Sequence, residues 1–200
     1  MNDMIFTNNL KALKNISIND NENFYMTESE LIAIDFDSVK DTYFSHLENK
    51  SKDTPMSNDA IILNSDNELF FIEFKDADLG KKEVAKISRK NYDSLLILLD
   101  LLNKTISYSR KNVNYILVYK KDKIKKFSDI PDASAFDLFS ENMSSLAKRA
   151  HDIFDLRKRF EHIYFKKVET LTKEQFDKYI TENDFVDINQ RNINKVLNNN

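Results

Sequence analysis

Three short runs of the sequence are apolar at nearly every position, and they constrain the fold more than any other feature. They span residues 60–63, 69–74 and 114–119. A strand with one face in water alternates between apolar and polar residues, whereas a strand covered on both faces is apolar throughout. We therefore expect these runs to be buried strands of one sheet that lies under helices.

Turn residues and helical periodicity define the elements around these strands. Residues 64–67, Asn-Ser-Asp-Asn, are typical of a turn and join the first two runs into a hairpin. Apolar residues recur at helical spacing over 37–50 and 81–103, before and after the hairpin. Together these elements predict an α/β fold with a mixed central β-sheet flanked by helices.

The C-terminal part of the chain predicts an αβα extension, about residues 130–197, in the same single domain. Its expected elements are a helix over 134–149, further helix over 153–160, a fourth strand over 162–168 and a helix over 173–180. Thr172 is a suitable N-cap for the last of these helices. Residues 120–130 predict a basic loop, and the first 25 residues predict a short helix or loop.

The composition excludes several classes of site. The chain of 200 residues has no Cys and one Gly, so it has no thiolate metal site, no Cys nucleophile and no glycine-rich phosphate loop. The N-terminus lacks the pattern of a signal peptide, and the longest apolar run, residues 95–102, is too short to cross a bilayer. We expect a cytoplasmic protein without membrane contact.

The net charge of −3 conceals a strong asymmetry along the chain. Residues 1–80 contain 6 basic and 16 acidic side chains, whereas residues 81–126 contain 13 basic and 4 acidic ones. The basic segment predicts either a face that binds a polyanion or a solvated, lysine-rich surface.

The predicted hairpin places two acidic residues opposite each other. If its turn is centred on Asp66, Asp59 lies directly opposite Glu73, and Lys75 shares their face because side chains alternate along a strand. Directly opposed side chains have Cβ atoms about 5 Å apart. A shift of one residue in the register would place the two acids on opposite faces.

Two opposed carboxylates at the edge of an apolar sheet repel each other, and burial adds a desolvation cost. Three arrangements relieve this: one carboxyl stays protonated, Lys75 neutralises the pair, or a divalent cation binds between them. Mg²⁺ suits the third, since it takes one or two carboxylates and keeps several waters. Alternatively, Asp59 caps the start of its strand, Glu73 and Lys75 pair along an edge, and nothing binds.

In this order of elements the sequence resembles the PD-(D/E)XK nuclease superfamily. The common core of that superfamily is a helix, a hairpin bearing Asp and Glu-x-Lys, a second helix and a further strand, which corresponds to residues 37–119. Asn58 stands where the name-giving pattern has Pro. The resemblance implies a restriction-endonuclease-like core, with Asp59 and Glu73 as metal ligands for Mg²⁺ or Mn²⁺ and Lys75 as the catalytic lysine.

The resemblance also implies contributions from the two helices. Glu48 is the nearest candidate for an acidic metal ligand on the first helix, and Glu28 and Glu30 are weaker ones. On the second helix Lys86 is the candidate for a polar residue in the site, and Lys86, Arg89 and Lys90 are candidates for nucleic-acid binding. The expected function is metal-dependent hydrolysis of phosphodiester bonds, with DNA as the expected partner. The alternative is an inactive nuclease-fold module that binds a protein or a nucleic acid.

Overall fold

A computed structural model describes residues 2–19, 24–48, 52–76, 81–120 and 155–190. The elements in chain order are α1 (Asn2–Thr7), β1 (Leu10–Ala12), α2 (Leu13–Ile16), β2 (Ile18–Asn19), β3 (Phe24–Tyr25), β4 (Ile32–Asp35), α3 (Phe36–Ser45), β5 (Ala60–Asn64), β6 (Leu69–Lys75), α4 (Lys81–Leu102), α5 (Ile106–Asn112), β7 (Val113–Tyr119), α6 (Leu156–Phe160), β8 (Val168–Thr172), α7 (Lys173–Glu182), β9 (Phe185–Val186) and a 3₁₀ turn (Ile188–Gln190).

Within the described ranges the centre of the fold is a mixed sheet of seven strands. Its order is β1-β4-β5-β6-β7-β8, and β9 pairs with the end of β5. Each neighbouring pair from β1 to β6 is antiparallel, namely β1 with β4, β4 with β5 and β5 with β6. The pairs β6 with β7 and β7 with β8 are parallel. The prediction of an α/β fold with a mixed central sheet is confirmed.

Helices cover both faces of the central strands, as their continuous apolar sequences predict. On one face, Phe71 and Tyr115 pack in a core that includes residues of α3, α4 and α6. On the other face, Ile62 and Ile116 share a core with Leu13 of α2 and Phe176 of α7. The strands have no water-facing side, so apolar residues stabilise them at every position.

The predicted hairpin, the long second helix and the third strand correspond to β5, β6, α4 and β7. Thr172 caps α7 as expected: its hydroxyl oxygen accepts a hydrogen bond from the Gln175 backbone N–H, and the Thr172 backbone N–H donates to the Gln175 side-chain oxygen. The helix expected over 37–50 ends earlier, at Ser45. Of the helix expected over 153–160, the described part is α6, and the helix expected over 134–149 lies outside the described residues.

The prediction of a fourth strand over residues 162–168 is wrong. Residues 162–164 form a turn, His162 has a φ of 61°, and the strand begins only at Val168. Phe165 packs its ring against Phe71 and Tyr115 and is buried without joining a strand of the sheet, whereas Ile163 is half exposed. Pattern alone cannot separate these two ways of burying a short apolar run.

The N-terminal residues add strands that the sequence did not predict. β1 and β4 pair with each other, and β4 pairs with the first half of β5. Both strands are short, at three and four residues, which is too short for a clear period of two. No helix within the described ranges is long and apolar enough to cross a bilayer.

Candidate metal and catalytic site

The hairpin register is the one that the sequence predicts. Ala60 pairs with Ile72 and Ile61 with Phe71, so Asp59 and Glu73 are the next residues on the two chains at the open end of the hairpin. The Asp59 backbone N–H donates to the Ile72 carbonyl at 3.0 Å. One Asp59 carboxylate oxygen, Oδ2, accepts the backbone N–H of Phe74 at 2.6 Å. The backbone of the neighbouring strand therefore orients this carboxylate.

Lys75 lies beside Glu73 on the same strand face. Its Nζ is 3.5 Å from Glu73 Oε1 and 3.3 Å from Oε2 of Glu83, which lies in the first turn of α4. The Lys75 side chain is largely buried. Lys75 thus shares its charge between a residue of the sheet and a residue of the helix.

Lys90 of α4 reaches both acids at once. Its Nζ is 2.8 Å from Glu73 Oε2 and 3.1 Å from Asp59 Oδ1. The Lys90 side chain is 16% exposed, and the Glu73 side chain is not exposed at all. The repulsion between the two acids is therefore relieved chiefly by a lysine from the helix, an arrangement that the sequence did not suggest, with Lys75 as a second positive charge.

Burial and mutual charge shift the pKa values of these groups. Burial, followed by the Asp59 charge, raises the pKa of Glu73 from 4.5 to about 8, although Lys90 and Lys75 oppose the shift. Burial alone would lower the pKa of Lys90, but the Asp59 and Glu73 carboxylates outweigh it and raise that pKa above its ordinary value. The ammonium of Lys90 is therefore charged near neutral pH, and Glu73 binds or releases its proton in that range.

Asp37, in the first turn of α3, is an acidic group near the site that the sequence reasoning missed. It accepts a hydrogen bond from the Ser57 hydroxyl. Burial is the main cause that raises the pKa of Asp37, and the charges of Asp59 and Lys90 also act on it. Its position follows from β4, which ends at Asp35 opposite Ala60, so that α3 begins beside Asp59.

Glu48 does not occupy the position that the resemblance implies. It lies beyond the end of α3 at Ser45 and is exposed. In the described part of the chain, no three His, Cys, Asp or Glu side chains form a group that could hold a metal ion. Glu28 and Glu30 instead form ion pairs with Lys14.

The three cationic candidates on α4, Lys86, Arg89 and Lys90, differ in exposure and in their ion-pair partners. Lys86 and Arg89 are more than half exposed and pair with acids of their own helix, Glu83 and Asp93. Lys90 instead turns to the sheet, as described above. Of these three candidates, Lys86 and Arg89 therefore offer an accessible positive charge, whereas Lys90 does not.

Buried polar side chains lie behind the carboxylates. Both amide atoms of Asn58 are buried and lack a hydrogen-bond partner among the described residues, while its backbone N–H donates to Ser94 of α4 at 2.7 Å. Glu73 Oε1 is likewise buried and without a hydrogen bond there. Burial, then the charges of Glu73 and Asp59, raise the pKa of Tyr115, so its hydroxyl keeps its proton. The site therefore contains buried polar atoms that make no hydrogen bond among the described residues.

The two carboxylates are the oxygen donors that this site could offer to a hard divalent cation. Two carboxylates already converge on a single small cation, the Lys90 ammonium, and the other buried oxygen of Glu73, Oε1, has no hydrogen bond among the described residues but lies 3.5 Å from the Lys75 ammonium. Mg²⁺ accepts one or two carboxylates and completes its shell with waters. Asp59 and Glu73 are therefore the residues that would hold the ion.

A second concave region lies at the other end of the hairpin. It is an open cleft of about 560 Å³ whose lining includes Phe70, Tyr179, Arg157, Lys166 and Lys167. Each of these three cations forms an ion pair with a neighbouring glutamate. The cleft contains none of the residues singled out from the sequence.

Comparison with known proteins gives no relative: the chain matches no family model, no curated protein and no solved structure.

Proposed function

We propose that this chain is a metal-dependent nuclease with a restriction-endonuclease-like core, hydrolysing phosphodiester bonds, with DNA as its substrate and the cytoplasm as its location. The observation that supports this proposal is that the Asp59 and Glu73 carboxylates converge on one point, now held by the Lys90 ammonium, with the Lys75 ammonium 3.5 Å from Glu73. Two carboxylates that hold a metal ion and a lysine beside them are groups that support hydrolysis of a phosphate diester.

Each group has a defined task in this proposal. Asp59 and Glu73 hold Mg²⁺ or Mn²⁺, and the bound ion supplies Lewis-acid stabilisation of the phosphate and a more acidic water. Lys75 orients the attacking water and offsets the negative charge that develops on the phosphate. The water oxygen forms a bond to phosphorus and the bond to the leaving oxygen breaks. Solvent takes up the proton that the attacking water loses and supplies a proton to the leaving oxygen.

The exposed cations of α4 supply binding. Lys86 and Arg89 are more than half exposed, on the helix that also carries Lys90 into the site. Contacts from such side chains to phosphates carry little sequence preference and weaken steeply as the salt concentration rises. Binding to a DNA duplex should therefore decrease with salt.

The test is cleavage of supercoiled plasmid, single-stranded DNA and RNA by the purified chain with Mg²⁺ or Mn²⁺. We expect cleavage of DNA, its loss in EDTA, and a rate at least about 100-fold lower in Lys75→Ala. Lys178→Ala is the matched control, since that lysine is 71% exposed on α7 and pairs with Glu182. Equal rates in Lys75→Ala and wild type would refute the role of Lys75.

The second candidate is a nuclease-fold module that binds without cutting. The observation that favours it is Lys90, which already neutralises the two acids without a metal. This candidate predicts no cleavage with either metal and no heat on Mg²⁺ titration, but salt-dependent binding of DNA or capture of a protein partner. Cleavage that EDTA abolishes would exclude it.

A further inference from the structure

The Lys90 ammonium lies between the two carboxylates, where a metal ion bound to both of them would lie. Its Nζ contacts Glu73 Oε2 and Asp59 Oδ1 at 2.8 and 3.1 Å. Mg²⁺ binds oxygen ligands at about 2.0–2.1 Å, so an ion that uses the same two oxygens would lie where the ammonium lies. Two positive charges in one partly buried position repel each other strongly.

Lys75 is not in this position. Its ammonium lies 3.5 Å from the other carboxylate oxygen of Glu73, Oε1, and 3.3 Å from Glu83 Oε2 of the helix. A metal between Asp59 and Glu73 therefore leaves the contacts of Lys75 intact but removes those of Lys90. The Lys90 side chain has a long flexible stem and is 16% exposed, so part of it already faces solvent.

We propose that Lys90 is an intramolecular counter-cation that a divalent metal has to displace before it can bind Asp59 and Glu73. The inference rests on the proposed metal site and adds a regulatory step to it. The metal-free chain neutralises its own acids, and the metal-bound chain exchanges one cation for another. The affinity for metal is therefore set by competition with Lys90 as well as by the two carboxylates.

Calorimetric titration of Mg²⁺ and of Mn²⁺ into three proteins tests the exchange. The proteins are wild type, Lys90→Met, which keeps the apolar stem, and Lys178→Ala as a control on the opposite face of the sheet. We expect Lys90→Met to bind at least about tenfold more tightly than wild type, and Lys178→Ala to bind as wild type does. Equal affinity in all three would overturn the exchange while leaving the metal site standing. No binding in any of them would overturn both.

Amine labelling of wild type covers the case in which Lys90→Met does not fold. Lysines are acetylated briefly in EDTA and in saturating Mg²⁺, and labelling at each position is measured by peptide mass spectrometry. Lys90 should be labelled several-fold faster with Mg²⁺ because its ammonium is released, while Lys178 should not change. Unchanged labelling of Lys90 in protein whose calorimetric titration is complete would refute the displacement.

Discussion

Replacing Glu73 by Gln should change how the free energy of unfolding depends on pH. Burial first, and then Asp59, raise the pKa of Glu73 from 4.5 to about 8 in the folded chain. Between these values the folded chain keeps a proton that the unfolded chain has released. The contribution to stability is therefore fully present below about pH 4.5 and is lost as the pH rises through about 8.

The size of the effect follows from the pKa difference. One pKa unit corresponds to about 1.4 kcal/mol, so wild type should lose up to about 4 kcal/mol from this group between about pH 5 and pH 8. Gln has no proton to release, and its side-chain oxygen can still accept from Lys90. The variant should therefore gain stability relative to wild type by a similar amount over the same interval.

Urea denaturation at three pH values, about 5, 6.5 and 8, measures this difference in the presence of EDTA. Glu182→Gln is the matched control, because its carboxyl is 62% exposed on α7. A difference between Glu73→Gln and wild type that stays constant within about 0.5 kcal/mol across the three conditions would refute the argument from burial.

Three further changes test the fold around the site, each by urea denaturation in EDTA. Lys90→Met should cost about 3 kcal/mol, because it leaves the buried Glu73 facing Asp59 without its main counter-charge; an unchanged midpoint would contradict this. Thr172→Ala should cost about 1 kcal/mol by removing the capping bond to Gln175, and a loss below a few tenths would argue against the cap. Phe165→Ala should lower the free energy of unfolding by about 3–5 kcal/mol because the ring is fully buried. A loss as small as that of an exposed side chain would contradict this.

The hairpin is the part of the site that sequence reasoning predicted in detail. Apolar residues at nearly every position identified β5 and β6, and the turn residues 64–67 joined them. The centre of the hairpin at Asp66 was assumed, and the pairing of Ala60 with Ile72 confirms it. Because side chains alternate along a strand, that centre was enough to place Asp59 opposite Glu73 and Lys75 on the same face. These relations are local in the chain, so no distant contact had to be known.

The partners that come from helices were predicted less well. Glu48 was favoured as the acid of the first helix, but that helix ends at Ser45, and Asp37 at its start is the acid whose charge interacts with Asp59. Helix ends depend on loop contacts that single-sequence patterns resolve poorly. The turn over residues 162–164 was mistaken for strand for a related reason, since a short apolar run does not say what it packs against.

By itself the sequence determined the buried strands, the turn between the first two and the long helix after them, because periodicity and turn chemistry act between near neighbours. The register that opposes two acids followed from an assumed turn centre, which the pairing of Ala60 with Ile72 confirms. It also identified Lys86, Arg89 and Lys90 as cations of one helix. Only the tertiary structure decided which of them enters the site. That choice depends on where α4 crosses the sheet, which is set by the packing of Ile87, Leu95 and Leu98 against residues far away in the chain.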